Sequence, residues 1–167
     1  MLMEIPVKPW MHKYLAREYG NPYIMDCTDP ISSLLHANLI RKSDIVPEQD
    51  FQDGNTDRFK IRIPTYFAEM YSLVDMSYKN KVAIRDLLED MFYDRLTEYV
   101  VGKQELKKQF EDIPEVKAAI SVNKCIQQFL NRYNITDEHY EIKSVERRFR
   151  MHKRKKGLTV SGDKKYL

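Results

Sequence analysis

The clearest strand in this chain is Arg58 to Pro64, RFKIRIP, and it constrains the fold more than any other stretch. Phe59, Ile61 and Ile63 fall on one face and Arg58, Lys60 and Arg62 on the other. That period of two belongs to a strand with one buried and one solvated side. Pro64 ends it, because proline cannot donate to a ladder. A strand cannot stand alone, since its backbone N–H and C=O groups need partners. Read from its residues alone, it is an edge hairpin with a solvated outer face.

The remainder reads mostly with a helical period. Met1 to Pro6 is short and extended. Pro9 suits a first helical turn, Met11, Tyr14, Leu15 and Tyr19 follow at helical spacing, and Gly20 closes the helix ahead of Asn21-Pro22. Trp10 is predicted to be a core anchor. Asp29-Pro30 opens a second helix as cap and first position, with Ile31, Leu34, Leu35 and Leu39 as its stripe. Ser43 to Asp57 is polar and reads as a loop. After the strand comes a short helical piece with Phe67, Met70 and Tyr71 inward. Ser77 or Asn80 then caps a long helix to about Val100, burying Ile84, Leu87, Leu88, Met91, Leu96 and Tyr99. Gly102 permits a break.

The C-terminal third, Pro114 to Lys156, reads as helix, break and basic helix. Val116, Ala119, Ile120, Cys125, Ile126, Phe129, Leu130 and Tyr133 form the first stripe. Asn134 suits the helix end, Thr136 or Asp137 caps the next helix, and Glu138 favours its first turn. The second helix buries little beyond Ile142, Val145 and Phe149. Around that seam stand Arg147, Arg148, Arg150, Lys153, Arg154, Lys155 and Lys156.

Charge sharpens the contrast. Glu141 to Leu167 holds ten Lys/Arg against three Asp/Glu, a net +7, so the other residues carry −4 of the overall +3. A slightly acidic body with a basic end is the pattern of an interaction surface for a polyanion. Catalytic signatures are missing: His12, His36, His139 and His152 have no metal-binding spacing, and no phosphate-cradling glycine loop occurs. The expectation is a non-enzyme with no cofactor and no metal, a metal-dependent nuclease of scattered carboxylates being the one catalytic alternative. No apolar run reaches the roughly 20 residues of a membrane span. Cys27 and Cys125 lie in apolar-patterned surroundings, and the N-terminal residues lack a secretory pattern, which together predict a reducing, cytoplasmic setting.

The order strand, proline, short helix, longer helix over residues 58–92 resembles the ribbon-helix-helix DNA-binding proteins. The residues that carry the likeness are FKIRIP, FAEMY and the stretch from Ser77. The resemblance implies a dimer whose paired strands enter the major groove, with Arg58, Lys60 and Arg62 reading bases and phosphates. The C-terminal third offers a helix-turn-helix instead. The chain also resembles small uncharacterised proteins of gut-bacterial phages and mobile elements, through Val7-Lys8-Pro9, Tyr14-Leu15, Tyr19-Gly20 and Phe129-Leu130 to Asp137. The reading is a mainly α, α+β protein: a helical and strand region 1–102, a helix-turn-basic-helix region 103–156 and a disordered tail 157–167, or one compact domain 1–156. Its expected function is DNA binding, DNA ahead of RNA, as a transcriptional regulator of a phage or mobile element and as a homodimer. Arg58, Lys60, Arg62, Arg147, Arg148, Arg150, Lys153 and Arg154 are the contact residues. The alternative is a protein adaptor or virion-type structural component whose basic end grips an acidic partner.

Overall fold

The computed structural model describes residues 1–26, 28–41, 57–71, 73–110, 113–115, 120–136 and 140–157. Residues 43–56 of the expected loop Ser43 to Asp57, Val116, Ala119, Asp137, Glu138 and the tail from 158 lie outside them, and Asp57 itself is in a strand. The fold is α+β and mainly helical, as the sequence predicts. It divides into two compact units, Met1–Glu89 and Asp90–Leu167.

The first unit is built on a three-stranded sheet. β1 (Leu2–Val7) pairs antiparallel with the predicted strand, β4 (Asp57–Arg62), placing Met3 opposite Ile61 and Ile5 opposite Phe59. Both strands alternate in phase, so Met3, Ile5, Val7, Phe59 and Ile61 are all buried on one face. β2 (Tyr23–Ile24) pairs parallel along the other edge of β4, opposite Ile61 and Arg62. On that same edge the Lys60 N–H donates to Asn21 Oδ1 at 3.3 Å and the Met25 N–H to the Arg62 carbonyl at 3.1 Å.

β4 is therefore a central strand, which corrects both expectations for it. It is no hairpin edge, and the pairing that would have demanded a second copy is made within the chain. Pro6 obscured β1 in the sequence. It sits on an edge strand of the sheet, where a missing N–H costs no ladder bond.

Helix α1 (Pro9–Tyr19) packs on β4 and buries Trp10, Met11, Tyr14 and Leu15. Gly20 ends it at φ 85°, a left-handed value that favours glycine, and its N–H reaches the Ala16 carbonyl. Helix α2 (Pro30–Asn38) is capped by Asp29, as predicted, and the cap is a small network. Asp29 Oδ1 accepts from the N–H groups of Ile31 (2.8 Å) and Ser32 (3.1 Å). Its Oδ2 accepts from the Ser32 hydroxyl at 2.9 Å and from the Tyr23 phenol, which ties β2 to the helix start. Burial alone would raise the Asp29 pKa, but these hydrogen bonds outweigh it and hold the carboxyl at about 2. The Tyr23 phenol is pushed up by burial and by the neighbouring carboxylate.

A second, two-stranded sheet joins β3 (Ile40–Arg41) to β5 (Leu73–Asp75). Between them in sequence α3 (Thr65–Tyr71) turns Phe67 inward against His36, ring to ring at 4.7 Å. The long helix α4 (Tyr78–Gln109) begins after Ser77, whose hydroxyl accepts from the Asn80 N–H at 3.3 Å.

The break expected at Gly102 does not occur: α4 runs through it to Gln109, and the two units divide within α4, after Glu89. A helical glycine costs only about 1 kcal/mol relative to alanine, which buried Leu96 and Val100 on the preceding turns outweigh. Ile84, Leu88 and Leu96 are buried as predicted, whereas Leu87 is exposed and Phe92, Tyr93 and Val100 join the core.

The second unit packs α5 (Val122–Arg132) and α6 (Ile142–Lys155) against each other. Phe129 stands at its centre, with the rings of Tyr133 at 5.0 Å and of Phe92 and Tyr99 at 5.6 Å. Ser121 caps α5 by accepting from the Lys124 N–H, and Asn134 ends the turn after it at φ 57°. The free thiol of Cys125 is buried beside Phe129's helix face, and burial raises its pKa.

The connection to α6 is longer than the expected 134–138. Ile135 is buried within it, and the Tyr140 hydroxyl pairs with that of Tyr93 at 2.9 Å. Consequently α6 starts only at Ile142, after Glu141, which makes no side-chain capping bond, and Thr136 lies too far upstream to cap it.

Candidate nucleic-acid interface

α6 buries Val145 and Phe149, as its apolar spacing predicts, but the seam continues to His152 and Lys153. At about 100° per residue these positions share one side of the helix, Phe149 about one turn and His152 and Lys153 about two turns beyond Val145. Lys153 is only 4% exposed, so it faces the core side and is not a solvent-facing phosphate contact. The sequence misassigned it because a long amphipathic stem can lie in an apolar seam while the local charge run masks the period.

The end of α6 is held by carboxylates from α4. The His152 ring reaches Asp94 Oδ1 through Nε2 at 2.7 Å and stands 3.8 Å from Asp90 through Nδ1. Lys156 pairs with Asp94 at 3.2 Å and Lys155 with Asp90 at 3.6 Å. Burial would raise the Asp94 pKa, but hydrogen bonds from His152 and Lys156 outweigh it and bring the carboxyl below its usual value. Asp90 and Asp94, four residues apart on one helix face, thus engage one imidazole and two ammonium groups of the basic helix.

The opposite side of α6 is arranged differently. Lys143, Arg147, Arg150 and Arg154 recur at i, i+4, i+7 and i+11 and fall within about 60° of one another around the axis, over a length of about 16 Å. They line one open depression together with Glu146 and Met151, the latter 60% exposed. Among the described residues none of these four cations has a hydrogen-bond or ion-pair partner. Arg148, also exposed, lies beyond the seam on the other flank and makes an intramolecular interaction, so it stands outside the row. The structure therefore brings together Arg147, Arg150 and Arg154 of the predicted set and adds Lys143. Its spacing to Arg147, Arg150 and Arg154 was the signal that the dense charge run concealed.

Arg58, Lys60 and Arg62 are exposed, on the outward face of the sheet in the first unit. Opposite them on β1 stand Pro6, Glu4 and Leu2, and Ile24 of β2 lies beside Arg62. Arg58 Nη1 donates to the Asp57 carbonyl at 3.4 Å. Among the described residues the side chains of Lys60 and Arg62 have no hydrogen-bond or ion-pair partner. These three cations and the α6 row belong to different units.

No family model matches the chain, and neither a curated protein nor a solved structure matches it. Fold and surface together define a mainly helical α+β protein with cationic rows on two of its elements. Among the described residues no helix is long and apolar enough to cross a membrane.

Proposed function

We propose that this chain is a DNA-binding protein that holds the phosphate backbone through the outward face of α6, with Lys143, Arg147, Arg150 and Arg154 as contacts. One observation carries the reading: among the described residues these four cations have no side-chain partner, while Asp90 and Asp94 engage their neighbours on the same helix. Four aligned cations on a rigid helix lose little side-chain freedom relative to a flexible basic tail, and guanidinium groups match phosphate in a bidentate way. A helix of about 10–12 Å in diameter also fits the major groove, where arginine can reach guanine O6 and N7. In the setting of the phage and mobile-element proteins that the sequence resembles, such a surface suits a transcriptional regulator.

The test is anisotropy with a labelled random-sequence duplex, comparing Arg147→Ala/Arg150→Ala with Lys155→Ala/Lys156→Ala. Each pair removes two charges from the same helix. The first is expected to weaken binding at least tenfold more than the second, at about 0.9 counterions released per contact. Equal losses would reduce the interaction to net charge, and no loss in either would favour an acidic protein partner.

A further inference from the structure

We infer that the outward face of the β1–β4–β2 sheet is a second nucleic-acid surface, one that takes an unpaired strand rather than a duplex. It lies on the first unit and goes beyond the α6 reading, since none of its residues belongs to that helix.

The geometry excludes the duplex mode first. The major groove, about 12 Å wide, admits a helix or a two-stranded ribbon. β4 is instead the centre of three strands, paired on one edge over Asp57 to Arg62 and on the other at Ile61 and Arg62. Adjacent strands lie about 4.8 Å apart, so the face is too broad to enter the groove once its side chains are added. Its cations can still meet phosphates laid across it. Arg58, Lys60 and Arg62 stand on one side of β4 at intervals of about 6.8 Å, and the backbone fixes that spacing without any cost in ordering.

The neighbours of Arg62 then select what accompanies those phosphates. Leu2, its partner on β1, is 50% exposed, and Ile24, its partner on β2, is 58% exposed. A duplex keeps its base faces stacked inside and offers these two side chains nothing apolar. A single strand offers unstacked bases, which seat on apolar side chains and on guanidinium planes. Among the residues that the paired strands set beside the row, Glu4 stands opposite Lys60 and lowers the charge at the middle of the row rather than at Arg62.

The experiment is a pair of titrations of the full chain, with fluorescein-labelled oligo-dT and with a random duplex, and oligo-rU as a further arm to separate DNA from RNA. Lys60→Ala/Arg62→Ala, both exposed positions, is expected to weaken oligo-dT binding roughly tenfold. The same variant is expected to leave duplex affinity within about twofold, because the duplex contacts lie on α6. Leu2→Ser/Ile24→Ser is expected to weaken oligo-dT binding without changing its salt dependence. A Lys143→Ala/Arg147→Ala/Arg150→Ala/Arg154→Ala variant is expected to show the reverse pattern, losing the duplex and keeping oligo-dT. If oligo-dT affinity is unchanged in Lys60→Ala/Arg62→Ala, or is lost only with the α6 variant, the sheet surface is overturned. The α6 reading fails separately, on the duplex titration alone.

Discussion

β4 and α6 both carry cations at regular spacing, and they present them by opposite means. β4 is fixed by backbone hydrogen bonds on both edges, so its outward side chains are spaced by the ladder itself. α6 is fixed by its side chains: an apolar seam on one flank and a carboxylate pair from α4 near its end. In the strand the alternation decides which charges face out. In the helix the carboxylates decide which charges remain available. The lesson is that counting Lys and Arg overstates a binding surface wherever acidic partners are within reach.

The largest effect expected from this contrast is at Ile61. Its side chain is fully buried at the centre of the sheet, so Ile61→Asp places an unpaired charge where several kcal/mol are lost, and the first unit is expected to unfold. Lys60→Ala, one residue away and exposed, is expected to stay within about 0.5 kcal/mol of wild type. On the helical side, Phe129→Ala removes the ring around which Phe92, Tyr99 and Tyr133 gather and is expected to cost about 3–5 kcal/mol in denaturant titration. A loss below about 1 kcal/mol at Phe129 would mean that aromatic packing does not hold the second unit together.

Next in size is the cap of α2. Asp29→Ala is expected to cost about 0.5–2 kcal/mol, the range for loss of an N-cap. Its pH signature follows from a folded carboxyl at about 2 against the ordinary 3.8. A depressed pKa adds stability that is complete above the ordinary value and is lost as pH falls from about 4 toward 2. Wild type is therefore expected to lose stability over that window more steeply than Asp29→Asn, which retains an acceptor but no titrating group. Parallel acid titrations in the two proteins would remove Asp29 from the acid sensitivity of the fold.

A smaller change than at Asp29 is expected at Asp94. Its side chain is 41% exposed, and its pairing with His152 and Lys156 is partly screened by solvent. Asp94→Asn is expected to cost below about 1 kcal/mol. A larger loss would show that α6 is held by its charges more than by Val145 and Phe149, and would sharpen the contrast with β4.

Much of this fold was legible because local signals agreed. Pro9 and Gly20 bracket α1, Asp29-Pro30 starts α2, and the alternation of β4 states which of its faces is buried. Partnership was not legible. That β1 and β2 flank β4 depends on contacts across more than 30 residues of chain, and Pro6 masked the alternation of Met3, Ile5 and Val7. The site divided in the same way. The spacing of Arg147, Arg150 and Arg154 was visible, but the burial of Lys153 shows only once the helix is packed, and the capture of Lys155 and Lys156 depends on Asp90 and Asp94, some 60 residues earlier in the chain. No local pattern in the basic helix could have reported them.

The central claim is that four specific cations, not the charge of the whole basic end, hold DNA, and salt dependence measures that number directly. With four phosphate contacts at about 0.9 each, log K against log salt for a random duplex is expected to slope near −3.6 in wild type. Replacing Lys143, Arg147, Arg150 and Arg154 by alanine is expected to bring the slope close to zero, whereas replacing Lys155 and Lys156 leaves it nearly unchanged. A slope unaltered by the four α6 substitutions would contradict the account.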